Sequence, residues 1–183
     1  MKPGIPKSIG QRCIYGVIMV LQVFLISCAT PPQILVSRSE TFPEGPIRSI
    51  ALMPSGGALA DAIGIELLNY GFEIIDTGKL TNLMIRFNLT EIEITQPQHM
   101  VRLADDGIDT ILLVKSVAGY DNRPQSASVK VVLTRSGKVI GGATWQNGKG
   151  GAPGSHADQS ARVDLSAAAN QIASSLGKVL SNR

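Results

Sequence analysis

The sequence predicts one α/β domain: a mixed β-sheet with helices packed against it, in the order β-α-β-α-α-β-β-β-α. Three observations predict it. Short apolar runs of strand length alternate with segments whose apolar residues recur at helical spacing. Two late apolar runs flank Ser136-Gly137 in the manner of a β-hairpin. The 156 residues from Cys28 to Arg183 suit a single domain of ordinary size.

The elements follow in order from Ile47. "IRSIALM" is an apolar run suited to a buried strand, and "PSGG" breaks it. Leu59, Ile63 and Leu67 then recur at helical spacing until Tyr70-Gly71 ends the helix. "FEIID" is the second strand. Thr77 is expected to cap the next helix, which carries Leu80, Leu83, Met84 and Phe87 on one face. "TEIEI" fits either a strand or a helix. Pro97 opens a helix bearing Met100, Val101, Leu103 and Ala104, and Gly107 stops it. "DTILLVKSV" is a strongly apolar strand. "ASVKVVLTR" and "KVIGGATWQ" form the hairpin, a glycine-rich loop follows, and Leu165, Ala169, Ile172, Leu176 and Val179 stripe a final helix. Residues 47–183 therefore form one α/β domain. Ala29 to Pro46 contains four prolines and little apolar periodicity, so it reads as a flexible, extended tether. Its 18 residues reach on the order of 60 Å at most.

Ahead of the tether, the chain has the three-part layout of an export signal. Met1 to Arg12 carries Lys2, Lys7 and Arg12 with no acid, and Cys13 to Ile26 is a 14-residue apolar run. That run is shorter than the ~20 residues a spanning helix needs, which disfavours an uncut membrane anchor. Three of the 17 Lys and Arg residues lie in this segment. Without residues 1–27, 14 basic residues face 14 acidic ones. The pI of 9.0 then belongs mostly to the precursor, and the nucleic-acid partner that a basic pI would invite is not expected. Cys13 leaves with the signal, so Cys28 stands alone and the core must hold without an internal disulfide.

Chemistry-bearing residues are sparse. Two histidines, His99 and His156, without HxxxH or CxxC spacing, make a zinc site of the usual kind unexpected. Asp105, Asp106 and Asp109 are the densest acidic cluster and could hold a cation or serve as paired carboxylates. The plainer reading is a polar helix end, because calcium-loop spacing is absent. Ser155, His156 and Asp158 supply the residue types of a hydrolytic triad, but triads are assembled across a fold rather than within one short loop. Lys149-Gly150 fails the phosphate-loop pattern, which needs Ser or Thr after the lysine. Asn147-Gly148 reads as turn chemistry. Asn88-Leu89-Thr90 matches a glycan acceptor formally and is given no weight. Tyr120 and the single Trp145 are candidate partner-binding aromatics, with Trp145 as peripheral core the plainer alternative. No catalytic residue, metal ligand or cofactor-binding residue is expected.

Leu25-Ile26-Ser27-Cys28 resembles a bacterial lipobox, positioned as such a motif is, after a basic stretch and an apolar run. The resemblance implies that residues 1–27 are a lipoprotein signal peptide and that Cys28 receives a diacylglycerol. It also implies cleavage before Cys28 and acylation of the new amino group. Ala29, in place of the Asp typical of inner-membrane retention, implies an outer-membrane address, with the folded domain facing the periplasm. Three further segments, "IRSIALMPSGGALADAIGIELLNYGFEIIDTGKL", "VRLADDGIDTILLVKSVAGYD" and "VKVVLTRSGKVIGGATWQ", together resemble the CsgG-like group of periplasmic lipoprotein domains. That group includes the curli secretion channel, Lpo-type activators of penicillin-binding proteins and flagellar accessory lipoproteins. The resemblance implies a non-enzymatic interaction module in envelope assembly or secretion, self-associating or docked on an envelope protein. The long alternating hairpins of the channel formers are missing here, so no pore is expected. The alternative is a periplasmic hydrolase or small-ligand domain using the glycine-rich loop around Trp145 to His156.

Overall fold

The computed structural model describes residues 29–40 and 45–181. Residues 1–27, expected to be a signal peptide, and Cys28 lie outside the described residues. The structure is α/β, with a six-stranded mixed sheet as its centre. Its strands are β2 (Gln33–Arg38), β3 (Ser49–Leu52), β4 (Glu73–Ile75), β5 (Thr110–Ala118), β6 (Pro124–Leu133) and β7 (Val139–Gln146). They lie in the order β2-β7-β6-β5-β3-β4. A two-stranded ribbon pairs β1 (Ala29–Thr30) with β8 (Lys149–Gly150).

Two halves of the sheet differ in chain direction. β5, β3 and β4 run parallel, whereas β5-β6, β6-β7 and β7-β2 are antiparallel. The parallel half needs crossovers, and their handedness decides where the helices go. From β3 to β4 the chain crosses through α1 (Gly57–Leu67), which packs on one face. From β4 it returns past β3 to β5 through α2 (Thr77–Phe87), α3 (Glu91–Ile94) and α4 (Pro97–Asp105). Because the direction across the sheet reverses, right-handed connections put these helices on the opposite face. The final helix α6 (Leu165–Ser181) lies beside α1 and also covers the antiparallel strands. A short helix, α5 (His156–Ala161), precedes it.

The two faces hold two cores. Ile50, Leu52, Leu112 and Val114 face α1 and α6, while Ala51, Met53 and Ile111 face α2, α3 and α4. This is the period-2 alternation of strands, with both sides apolar because both are covered. Gly177 in α6 lies against Tyr70, where a Cβ would stand 2.5 Å from the ring, so only glycine lets that helix approach.

Local signals explain most boundaries. Gly71 and Gly107 take left-handed φ values of 82° and 81° and end the helical segments before β4 and β5. Gly137 does the same in the hairpin turn. The cap of α2 is Asp76 rather than Thr77: its carboxylate accepts from Lys79 N at 2.8 Å, while Thr77 is already helical. "TEIEI" resolves as a helix because Thr90 and Glu93 close a capping box. The expected tether is corrected at two places. Ala29–Thr30 pairs with β8, and all six residues of β2 pair with β7 as an edge strand of the main sheet. Ile34 and Val36 supply the reason: at alternate positions they pack onto the first core, a periodicity hidden behind Pro31 and Pro32.

Candidate functional site

The glycine-rich segment after β7 is built by close backbone approach. A Cβ on Gly148 would collide with the carbonyl oxygen of Ala161, and one on Gly150 with that of Ala157. Glycine at both positions therefore lets α5 lie directly against β8. "GKGG" serves packing, which accounts for its failure to match a phosphate loop.

Buried polar groups hold this arrangement. Asn147 fills its side-chain hydrogen-bonding capacity: Nδ2 donates to the carbonyls of Pro124 (2.7 Å) and Val163 (3.0 Å). Its Oδ1 accepts from the amides of Gly148 (2.8 Å) and Val163 (2.9 Å). Asp158, also buried, accepts from Gly150 N, Gly154 N and the Tyr120 hydroxyl, the last at 2.6 Å. Beside it, Arg162 makes a two-point contact with Asp121, both bonds at 3.1 Å, and its guanidinium lies 5.1 Å from the Tyr120 ring centre. The Tyr120 hydroxyl and the two loop amides favour the Asp158 carboxylate and hold its pKa below the ordinary 3.8. The same hydrogen bond to Asp158 raises the Tyr120 phenol above 10.0. The structural role of Asn147 escapes the sequence because its partners beyond Gly148 are backbone groups of Pro124 and Val163; those of Asp158 and Arg162 escape it because Tyr120 and Asp121 are distant in the chain.

Ser155, His156 and Asp158 do not form a relay. Ser155 is the N-cap of α5, donating to Gly150 O at 3.0 Å and accepting from Asp158 N at 3.2 Å. His156 Nδ1 lies 3.3 Å from Ser160 Oγ, one helical turn onward. A hydrolytic set needs a nucleophile bonded to a base and a base bonded to its orienter; neither link is made here.

The acidic cluster disperses as well. Asp109 accepts from the amides of Arg48 (2.8 Å) and Ser49 (3.1 Å), tying the start of β5 to β3. Asp106 pairs with Arg86 of α2, and Asp105 is exposed. His99 lies at the start of α4 with its Nδ1 buried and unpartnered. Among the described residues, no group of three or more His, Cys, Asp or Glu could hold a metal ion.

The two aromatic candidates separate. Trp145 is fully buried among the residues of the first core, and its Nε1 donates to Gln171 of α6 at 2.8 Å. As a surface contact it is therefore corrected: its position in β7 points under α6. Tyr120 is 55% exposed and stands at the same end of the sheet as the glycine-rich loop. Cys28, immediately before Ala29, is outside the described residues.

An open sheet face was not anticipated. Among the described residues, no helix covers the antiparallel half on the side away from α6, and Leu35 and Val117 are 75% and 57% exposed. Ser128, Lys130 and Thr144 stand between them, and a shallow groove of about 480 Å³ runs along this face. β2, β5, β6 and β7 contain no Asp or Glu. The sequence signal was the alternation of "SASVKVV", which marks strands with one buried face. Among the described residues, no helix is long and apolar enough to cross a membrane.

No family model matches this chain, and no curated protein matches it. Among solved structures it is similar to a PelC dodecamer from Paraburkholderia phytofirmans, at 12% identity and a TM-score of 0.47. That likeness covers 82% of this chain and 99% of that one. It is also similar to lipoprotein GNA1162 from Neisseria meningitidis, at 20% identity and a TM-score of 0.44, over 70% of this chain and 98% of that one.

Proposed function

We propose that this protein is an outer-membrane lipoprotein anchored through acylated Cys28, whose periplasmic α/β domain is a non-enzymatic docking module for envelope assembly or secretion. The observation that carries this reading is the open face of β5, β6, β7 and β2. It is broad, hydroxyl-rich, free of acidic residues and bears Lys115 and Lys130. A face of that kind suits an envelope protein that presents acidic and polar groups, since charge complementarity sets partner choice and encounter rate. The consumption of Ser155 and Asp158 by internal hydrogen bonds supports a non-catalytic role for the loop. The lipobox supports the anchor, because several acyl chains hold a protein stably where one does not.

The test is affinity capture of the intact lipoprotein from crosslinked envelopes, comparing wild type with Lys130→Glu. A reproducible envelope protein captured by wild type and lost with Lys130→Glu is expected. Equal capture by both would sink the open face as the docking surface. Outer-membrane fractionation of Cys28→Ser tests the anchor separately; the variant is expected in the soluble periplasmic fraction.

A further inference from the structure

Acylated Cys28 would be joined directly to a residue of the fold. Ala29 pairs with Gly150 and Thr30 with Lys149, so the chain is hydrogen-bonded into β-structure one residue after the anchor. Consecutive Cα atoms are about 3.8 Å apart, which leaves no slack between lipid and domain. The end of the molecule holding this ribbon must then lie at the bilayer surface, and its composition suits that position. Lys149 is exposed and lines a recess of about 180 Å³ with Thr30, Pro31, Gln33, Gln146 and Asn147, beside the ribbon. The loop Gly151–Gly154 is exposed, and the Tyr120 ring would lie 4.0 Å from a Cβ on Gly154. Two nearby carboxylates are internally engaged, Asp158 buried under Tyr120 and Asp121 paired with Arg162, while the exposed Asp164 accepts from Ala167 N at the start of α6.

We propose that the β1/β8 ribbon and the glycine-rich loop form a membrane-seating surface that holds the domain flush on the bilayer. Lys149 faces lipid phosphates, and the Tyr120 ring lies at the interfacial level, where an amphipathic aromatic is favoured. This rests on the reading that Cys28 is acylated. It replaces a domain swinging on a leash with one of fixed orientation. The β6-β7 hairpin is then held away from the lipid by the length of β7, eight residues or about 24 Å.

The experiment uses the full lipoprotein, purified with its acyl groups and reconstituted into vesicles containing a nickel-chelating lipid. Acylation is read first, by metabolic labelling with an alkyne fatty acid and by mass spectrometry. Spin labels are then introduced singly by Ala152→Cys in the loop and Ser136→Cys in the hairpin. Strong nickel-induced relaxation is expected at position 152 and none at 136. A ten-residue Gly/Ser insertion between Cys28 and Ala29 is expected to abolish the effect at 152 while acylation is retained, and Lys149→Glu to weaken it. Acylated protein with no relaxation at 152, or with equal relaxation at both sites, overturns the seating surface and leaves the anchor standing. Absence of acylation overturns both.

Discussion

The two halves of the sheet solve the burial problem differently. In the parallel half, β3 is buried at all four residues, because α1 and α6 cover one side and α2 to α4 the other. In the antiparallel half, β6 alternates: Ala127, Val129 and Val131 face the core while Ser128 and Lys130 face outward. Crossover connections force helices onto both faces of parallel strands, whereas hairpins carry no helices with them. The parallel half is thus committed to stability. The antiparallel half leaves one face uncovered among the described residues.

Charge insertion is the sharpest way to break that comparison. Ala51→Asp puts an unpaired carboxylate between β3 and its covering helices, and a loss of about 3–5 kcal/mol is expected in urea unfolding followed by circular dichroism. The same charge from Leu35→Asp on the open face should move stability by no more than about 0.5 kcal/mol. Comparable losses at both would mean the open face is not solvent-facing in the native protein. Trp145→Ala tests the covered side of the antiparallel half. It empties a fully buried site and strands the Gln171 carbonyl, for a loss of about 3–5 kcal/mol in the same assay.

Smaller effects should come from the loop. Gly148→Ala must push α5 off the ribbon, at a cost of about 1–3 kcal/mol, with faster amide exchange in residues 148–158 and little change in β3. The smallest expected effect is a shift with pH. Asp158 titrates below its ordinary value in the folded protein, so its contribution is present above the ordinary value and is lost as pH falls through the depressed one. Tyr120→Phe removes the largest cause of that depression. Loop opening, read by amide exchange at Gly150 and Gly154, should then begin at higher pH in the variant. An unchanged acid profile would show that the loop does not depend on this bond. Tyr120 has the opposite sign: its contribution is present below the ordinary phenol value and is lost as pH rises through the raised one.

The sequence by itself determined the class and the order of the main elements, because each is encoded locally. Apolar runs and helical stripes marked strands and helices, and Gly71, Gly107 and Gly137 marked stops that only a left-handed residue makes cheaply. "TEIEI" stayed open between strand and helix in the sequence, and the capping box of Thr90 and Glu93 decided it. Cys28 remains a sequence-level assignment, since its chemistry depends on the residues just before it. The tertiary structure decided what depends on distant partners. Gln33–Arg38 became a strand because β7 offered an unpaired edge and the core accepted Ile34 and Val36. Trp145 and Tyr120, both plausible surface aromatics in sequence, were separated by which face α6 covers. Asp158 took three hydrogen bonds from β8, a loop and the turn after β5, so a residue that looked like part of a catalytic set became a tie between these segments. A carboxylate's role follows from the donors it meets, and those donors are brought together only by folding.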